Sequence, residues 1–146
     1  MISMKFIIDE SLGFIINRTN QKLSNYLTQK FKPYDITPEQ GVLNRLWEKD
    51  GISQKEISEI TIKDQTTLTR ILDKLERKGF VKRQTTPIDR RVFLIFLTDS
   101  GRSLENILVP IAYEALEEAL QGLSKEEIKQ LKVLLNRIYL NLDQTG

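Results

Sequence analysis

Apolar residues recur along most of this chain at intervals of three and four, the spacing of helices that bury one face. From Ser11 to about Phe31 the pattern is carried by Leu12, Ile15, Ile16, Leu23, Tyr26 and Leu27. Lys32-Pro33 ends that helix, because the residue before proline is pushed out of the α region. Thr37-Pro38-Glu39-Gln40 reads as the next start: Thr37 suits a cap, Pro38 the first helical position, and Gln40 a capping box. That helix carries Val42, Leu43, Leu46 and Trp47, and Gly51 is expected to close it. Ser53-Gln54-Lys55-Glu56 is a second capping box, opening a short helix with Ile57 and Ile60. Asp64 then caps a longer helix that runs to Lys78 and stops at Gly79.

The period changes after Phe80. Val81 to Thr85 and Val92 to Leu97 are rich in β-branched and aromatic residues, as strands require. They flank Thr86-Pro87-Ile88-Asp89-Arg90-Arg91, which reads as the tip of a hairpin. Thr98 caps another helix, with Leu104, Ile107, Leu108, Ile111, Ala115 and Leu116 on one face. Ser124-Lys125-Glu126-Glu127 is a third capping box, followed by Ile128, Leu131, Leu134, Leu135 and Ile138.

The order predicts a mainly α fold with a small β-hairpin wing, a winged helix-turn-helix carried between N- and C-terminal dimerisation helices. Residues 35–98 form the winged helix-turn-helix in this reading, and residues 1–34 with 99–146 the helical dimerisation region. The outer helices are long and amphipathic, and apolar stripes of that length are better covered by a second copy than left in water.

Composition narrows the chemistry. The 146 residues include no Cys and no His, which removes disulfides, thiol redox sensing, Cys/His zinc sites and histidine-dependent nucleophilic triads. No Gly-rich phosphate cradle or dense oxygen-ligand loop is present, so neither cofactor nor metal is expected, nor enzymatic activity. No run of 18 apolar residues spans a membrane. Met1 to Ile8 is too short an apolar stretch for a secretory signal, and the cytoplasm is the expected compartment. The net charge of +2 is unevenly spread: residues 62–98 hold 9 basic and 4 acidic side chains, net +5, whereas 99–146 is net −3. A basic middle section is the asymmetry of a nucleic-acid contact zone.

The 64–78 helix has two faces. Leu68, Ile71, Leu72 and Leu75 form the apolar stripe, and Gln65, Thr66, Thr69, Arg70, Asp73, Lys74 and Arg77 lie away from it. Short hydroxyls near its start and cations further along suit a helix fitted into a major groove. Gln65 is suited to adenine, Arg70 to guanine, and Thr66 or Thr69 to the thymine methyl. The short capped helix before it completes a helix-turn-helix, with Ser58 small where the two helices cross. Arg90 and Arg91 at the hairpin tip are placed to enter the adjacent minor groove, and Lys82 and Arg83 to reach phosphates.

The stretch Leu72-Asp73-Lys74-Leu75-Glu76-Arg77-Lys78-Gly79-Phe80-Val81-Lys82-Arg83, then Asp89-Arg90-Arg91, then Leu97-Thr98-Asp99-Ser100-Gly101, closely resembles the MarR family of bacterial regulators. The resemblance implies an obligate homodimer whose terminal helices interlock and whose winged helices bind palindromic double-stranded DNA, most often as a repressor. It matches Asp64, Gln65, Thr66, Thr67, Thr69 and Arg70 to the start of the recognition helix. Arg91 matches the wing arginine of the minor groove, Asp89 the acid that braces it, and Arg90 a backbone contact. Peroxide sensing through cysteine and zinc sensing through histidine are excluded here.

Similar proteins often release DNA when a small aromatic or anionic compound enters the crevice between dimer helices and winged helix. Phe14, Tyr26, Tyr34, Leu46 and Trp47 are the candidate lining residues, with plain packing as their alternative role. A winged helix that docks another protein is the competing function; the net +5 of residues 62–98 and the paired tip arginines favour DNA.

Overall fold

A computed structural model describes residues 7–37, 39–61 and 64–143. It falls into two compact units, residues 1–112 and 113–146.

The first unit opens with a single 3₁₀ turn, Ile8–Glu10, and helix α1, Leu12–Phe31. Ser11 caps α1, its hydroxyl accepting from the Phe14 amide at 3.2 Å. A second 3₁₀ turn over Lys32–Tyr34 ends in Asp35 at φ +57°, so Lys32-Pro33 does end the helix. Helix α2 covers Gln40–Glu48. Its start differs from the expectation. Among the described residues the Thr37 side chain caps nothing; it donates instead. The Glu39 carboxylate accepts from the Thr37 amide at 2.7 Å and from its hydroxyl at 3.1 Å, so Glu39 rather than Gln40 reaches back over the turn. Pro38 lies outside the described residues. The close of α2 also differs: Lys49 is already extended, and Gly51 (φ +69°) serves the next strand, donating to the Ile95 carbonyl at 3.0 Å.

Strand β1, Ile52–Ser53, was not expected, being too short to show an alternation. Helix α3, Gln54–Thr61, follows, with Ser53 Oγ accepting from the Glu56 amide at 3.1 Å. Helix α4, Gln65–Arg77, buries the stripe Leu68, Ile71, Leu72 and Leu75. It ends in a paired closure: Phe80 donates to Leu75 O at 2.9 Å and Gly79 to Glu76 O at 3.0 Å. This Schellman arrangement needs a left-handed residue, supplied by Gly79 at φ +80°. Strands β2, Val81–Thr85, and β3, Phe93–Leu97, pair antiparallel with Val81 opposite Leu97 and Thr85 opposite Phe93. β1 joins the other edge of β3, Ile52 opposite Ile95, giving the order β1-β3-β2.

Thr98 caps α5, Asp99–Ser103, accepting from the Gly101 amide at 3.1 Å; the chain then breaks at Leu104 before α6, Glu105–Ala119, where one continuous helix was expected. Phe31, Ile36, Leu43, Leu46, Ile57, Leu68, Leu72, Leu75 and Ile95 are fully or almost fully buried in one core, joined by Leu104 and Leu108. That core fixes the angle between α3 and α4 and seats the sheet behind them.

The second unit comprises the end of α6 and helix α7, Lys125–Asp143. Its cap is reciprocal, Ser124 N to Glu127 Oε1 at 2.8 Å and Glu127 N to Ser124 Oγ at 3.1 Å. The returning N–H from Ser124 holds the Glu127 carboxyl below its usual range. No residue of α7 is buried; Leu131, Leu134, Leu135 and Leu142 all remain exposed on the single chain.

Candidate nucleic-acid interface

The candidate interface lies within residues 1–112, on α3, α4 and the β2–β3 hairpin. At the start of α4, Asp64 Oδ1 accepts from the Thr67 amide at 2.7 Å and Oδ2 from the Thr67 hydroxyl at 3.1 Å. These bonds, the amide first and the hydroxyl next, with the positive Arg70 adding to them, hold the Asp64 carboxyl below its ordinary value. Of the residues matched to the recognition helix, Asp64 and Thr67 are therefore engaged with each other. Gln65, Thr66, Thr69 and Arg70 are left exposed on the outer face of the helix.

One residue outside the expected set enters here. Gln54, the first residue of α3, points its amide across the helix pair, with Nε2 2.9 Å from Thr69 Oγ1 and 3.5 Å from Gln65 Oε1. Its signal was not readable from spacing, since only the crossing of α3 over α4 brings the two positions together.

Arg83 departs from its expected role as a phosphate contact. Its guanidinium lies 2.8 Å from Asp73, 3.3 Å from Glu76 and 3.2 Å from the Thr69 carbonyl, and its side chain is only 15% exposed. Its amide also donates to Glu76 Oε2 at 3.1 Å. Arg83 is a strut from β2 to α4, with its charge compensated by two carboxylates. Lys82 alternates to the other side of the strand and stays exposed.

Lys74 is half exposed and lies 3.8 Å from Glu39, a carboxylate with no solvent exposure that sequence reasoning missed. Lys78 also meets Glu39, at 3.4 Å, and Asp35. Burial alone would raise the Glu39 pKa, but the Thr37 amide and hydroxyl, its own backbone N–H and the Lys78 charge together outweigh it and hold the carboxyl below its ordinary value. This cluster ties the start of α2 to the last turns of α4.

The hairpin tip is held by its own short bonds. Thr86 Oγ1 donates to the Asp89 carbonyl at 2.8 Å and accepts from the Asp89 amide at 2.9 Å, and Val92 N donates to Asp89 O at 3.1 Å. The Asp89 carboxylate accepts from the Arg91 amide at 2.9 Å and from its guanidinium at 3.2 and 3.4 Å. The backbone donor, then the guanidinium, lowers the Asp89 pKa. Arg90 and Arg91 both project into solvent. Between helix and hairpin lies a cleft of about 780 Å³, with Gln54, Gln65 and Thr69 on one side and Arg83, Arg91 and Phe93 on the other.

The five candidate crevice residues are not brought together in that cleft, and none of them lines it. Leu46 is wholly inside the core. Trp47 packs against the core and donates from Nε1 to the Gly101 carbonyl at 2.9 Å. Phe14 and Tyr26 lie along α1 beneath Arg18 and Lys30, at 5.5 and 5.2 Å from the ring centroids, and Tyr34 is exposed on the following turn. Among the described residues no cluster of acids could hold a metal ion, and no helix is long and apolar enough to cross a membrane.

Residues 37–93 match the profile of the MarR family. The chain is 30% identical to the uncharacterised HTH-type transcriptional regulator YybA of Bacillus subtilis, over 89% of this chain and 85% of that one. Among solved structures it resembles a mutant MarR of E. coli complexed with operator DNA, with 31% identity, TM-score 0.81, and 87% and 92% of the two chains covered. It also resembles MepR of S. aureus in a DNA complex, with 28% identity, TM-score 0.82, and 90% and 98% covered.

Proposed function

This chain belongs to the MarR family of helix-turn-helix transcriptional regulators, and from that premise we propose that it is a repressor that binds a palindromic operator as a homodimer. The observation that carries the reading is the joint presentation of two basic or hydrogen-bonding elements by one rigid core. The outer face of α4 offers Gln65, Thr66, Thr69 and Arg70, and the braced hairpin tip offers Arg90 and Arg91. In E. coli MarR and S. aureus MepR a chain of this fold has been captured on DNA.

The side chains divide by role. Gln65, Thr66, Thr69 and Arg70 read base edges in the major groove. Arg91, aimed by Asp89, enters the adjacent minor groove. Lys74, Lys82 and Arg90 meet phosphates, which position the protein without specifying sequence. Asp64 and Thr67 secure the start of the reading helix, and Arg83 fixes the wing to it. The role is binding rather than catalysis.

Residues 35–98 are the DNA-binding region and residues 1–34 with 99–146 the dimerisation region. What supports the dimer is apolar surface left on the single chain: Leu12, Ile15 and Ile16 on α1, and Leu131, Leu134 and Leu135 on α7. Two copies would place two α4 helices on half-sites one DNA turn, ~34–36 Å, apart.

Selection of random duplexes by the purified protein at two salt concentrations tests the proposal. The expected result is an enriched palindrome with half-sites one turn apart, bound by a species that sediments as a dimer. Weak, salt-sensitive binding with no enriched sequence would reject it.

A further inference from the structure

Thr69 is held from two directions. Its carbonyl accepts from Arg83 Nη2 at 3.2 Å, and its hydroxyl oxygen accepts from Gln54 Nε2 at 2.9 Å. Helical threonines often turn the hydroxyl back onto the carbonyl four residues earlier. Among the described residues two do so, Thr19 onto Ile15 and Thr61 onto Ile57, each at 2.6 Å. The Thr69 hydroxyl is instead drawn toward Gln54, across the helix pair and on the wall of the cleft.

A hydroxyl has one proton and two lone pairs. With one lone pair taken by the Gln54 amide, the proton and one lone pair remain, and accepting that bond polarises the hydroxyl into a stronger donor. The hydroxyl then presents itself to a ligand preferentially as a donor. Seen from the major groove, guanine and thymine offer an exocyclic oxygen as acceptor, and adenine and cytosine an exocyclic amine as donor.

We propose that Gln54 is a positioning residue for base readout: it holds Thr69 as a donor, so the base facing Thr69 is selected for the exocyclic oxygen of guanine or thymine. The assignment rests on the DNA-binding reading above. Gln54 acts through Thr69, and its loss changes which base is preferred rather than how tightly DNA in general is held.

Substitution of the amide separates these effects. Gln54→Glu places only acceptors beside Thr69, so the hydroxyl proton must turn inward and its lone pairs outward. The test is duplex selection by wild type, Gln54→Ala, Gln54→Glu, and the Gln54→Glu change made in a Thr69→Val background. Wild type is expected to favour guanine or thymine at one base pair per half-site by about two- to threefold, a fraction of one neutral hydrogen bond. Gln54→Ala should flatten that preference, and Gln54→Glu should reverse it toward adenine or cytosine. Neither change should alter the preferences at the remaining base pairs, which serve as the control for folding. With Val at position 69 the Gln54→Glu reversal should vanish. A wild-type pattern that both Gln54 variants leave intact overturns the assignment alone, as does a reversal that persists without the threonine hydroxyl. A wild type that enriches no sequence overturns the DNA reading and this assignment with it.

Discussion

Asp89 grips Arg91 at both ends of the arginine: Oδ1 accepts from the backbone amide at 2.9 Å and from Nε at 3.2 Å, and Oδ2 accepts from Nη2 at 3.4 Å. The Arg91 side chain nevertheless stays 91% exposed, so the grip aims the guanidinium without hiding it. Two effects of the carboxylate oppose each other on DNA. Its charge repels phosphate, and its geometry holds the arginine ready, sparing side-chain entropy on binding.

Asp89→Asn decides between them. On charge alone the variant would bind DNA more tightly. If the aiming dominates, affinity falls by about tenfold, the scale of one charge-assisted hydrogen bond, with little change in melting temperature. Fluorescence anisotropy with a selected operator at fixed salt reads the difference, and tighter binding would show that Asp89 is not a brace.

Lys82 and Arg83 are neighbours in sequence with opposite expected behaviour. Lys82 is exposed and uncompensated by any described ion pair, so Lys82→Ala should weaken binding to all sequences and reduce the salt slope by about one. Arg83 is neutralised by Asp73 and Glu76, so Arg83→Ala should leave the slope nearly unchanged while loosening the wing and lowering affinity. Binding measured from low to moderate salt tests this; equal slope changes in both variants would return Arg83 to the phosphate contacts.

Gly101 sits where the start of α5 meets the end of α4. A Cβ there would lie 2.0 Å from the Phe80 carbonyl oxygen, which itself accepts from the Thr98 amide at 3.0 Å. The obstacle is backbone, so it cannot rotate aside. Gly101→Ala should destabilise the protein by at least ~1–3 kcal/mol, the usual cost of overpacking. Trp47 donates to the Gly101 carbonyl, so its fluorescence should report the displacement during thermal melting. An unchanged melting temperature would mean that the Phe80–Gly101 approach is looser than the structure has it.

Local rules made much of this legible in the sequence. The caps at Ser53, Asp64, Thr98 and Ser124 were readable because each cap and its partner lie within three residues. The stripe of α4 was readable because one helix face meets one core. What escaped depends on tertiary crossings. β1 has two residues and exists only because β3 runs beside it. Arg83 read as a free cation until the sheet placed it against Asp73 and Glu76. Gln54 and Thr69 are 15 residues apart, and Glu39 and Lys78 are 39 apart. No periodicity connects such pairs, so a polar residue at one end carries no mark of its partner at the other.

Glu39 gives the clearest dependence on pH. It has no exposed surface, and its carboxylate is held by the Thr37 amide and hydroxyl and by Lys78, with Lys74 nearby. Its pKa in the folded protein lies below the ordinary 4.5. A lowered folded-state value means the unfolded chain takes up the proton first as pH falls. The stabilisation is therefore complete above about pH 4.5 and is lost as pH drops through the folded-state value. Glu39→Gln keeps an acceptor for the Thr37 amide but leaves Lys78, 18% exposed, without its buried counter-charge. At neutral pH this should cost on the order of 3 kcal/mol, the scale of breaking a buried ion pair. The other carboxylates with lowered values, Asp64, Asp89 and Glu127, titrate in both proteins and cancel in the comparison. The gap in stability between wild type and Glu39→Gln should therefore narrow as pH falls below 4.5, where protonated Glu39 becomes as neutral as glutamine. Denaturant melts from pH 7 to pH 3 measure that gap, and one that stays constant across the range would show that packing, not charge, holds α2 to α4.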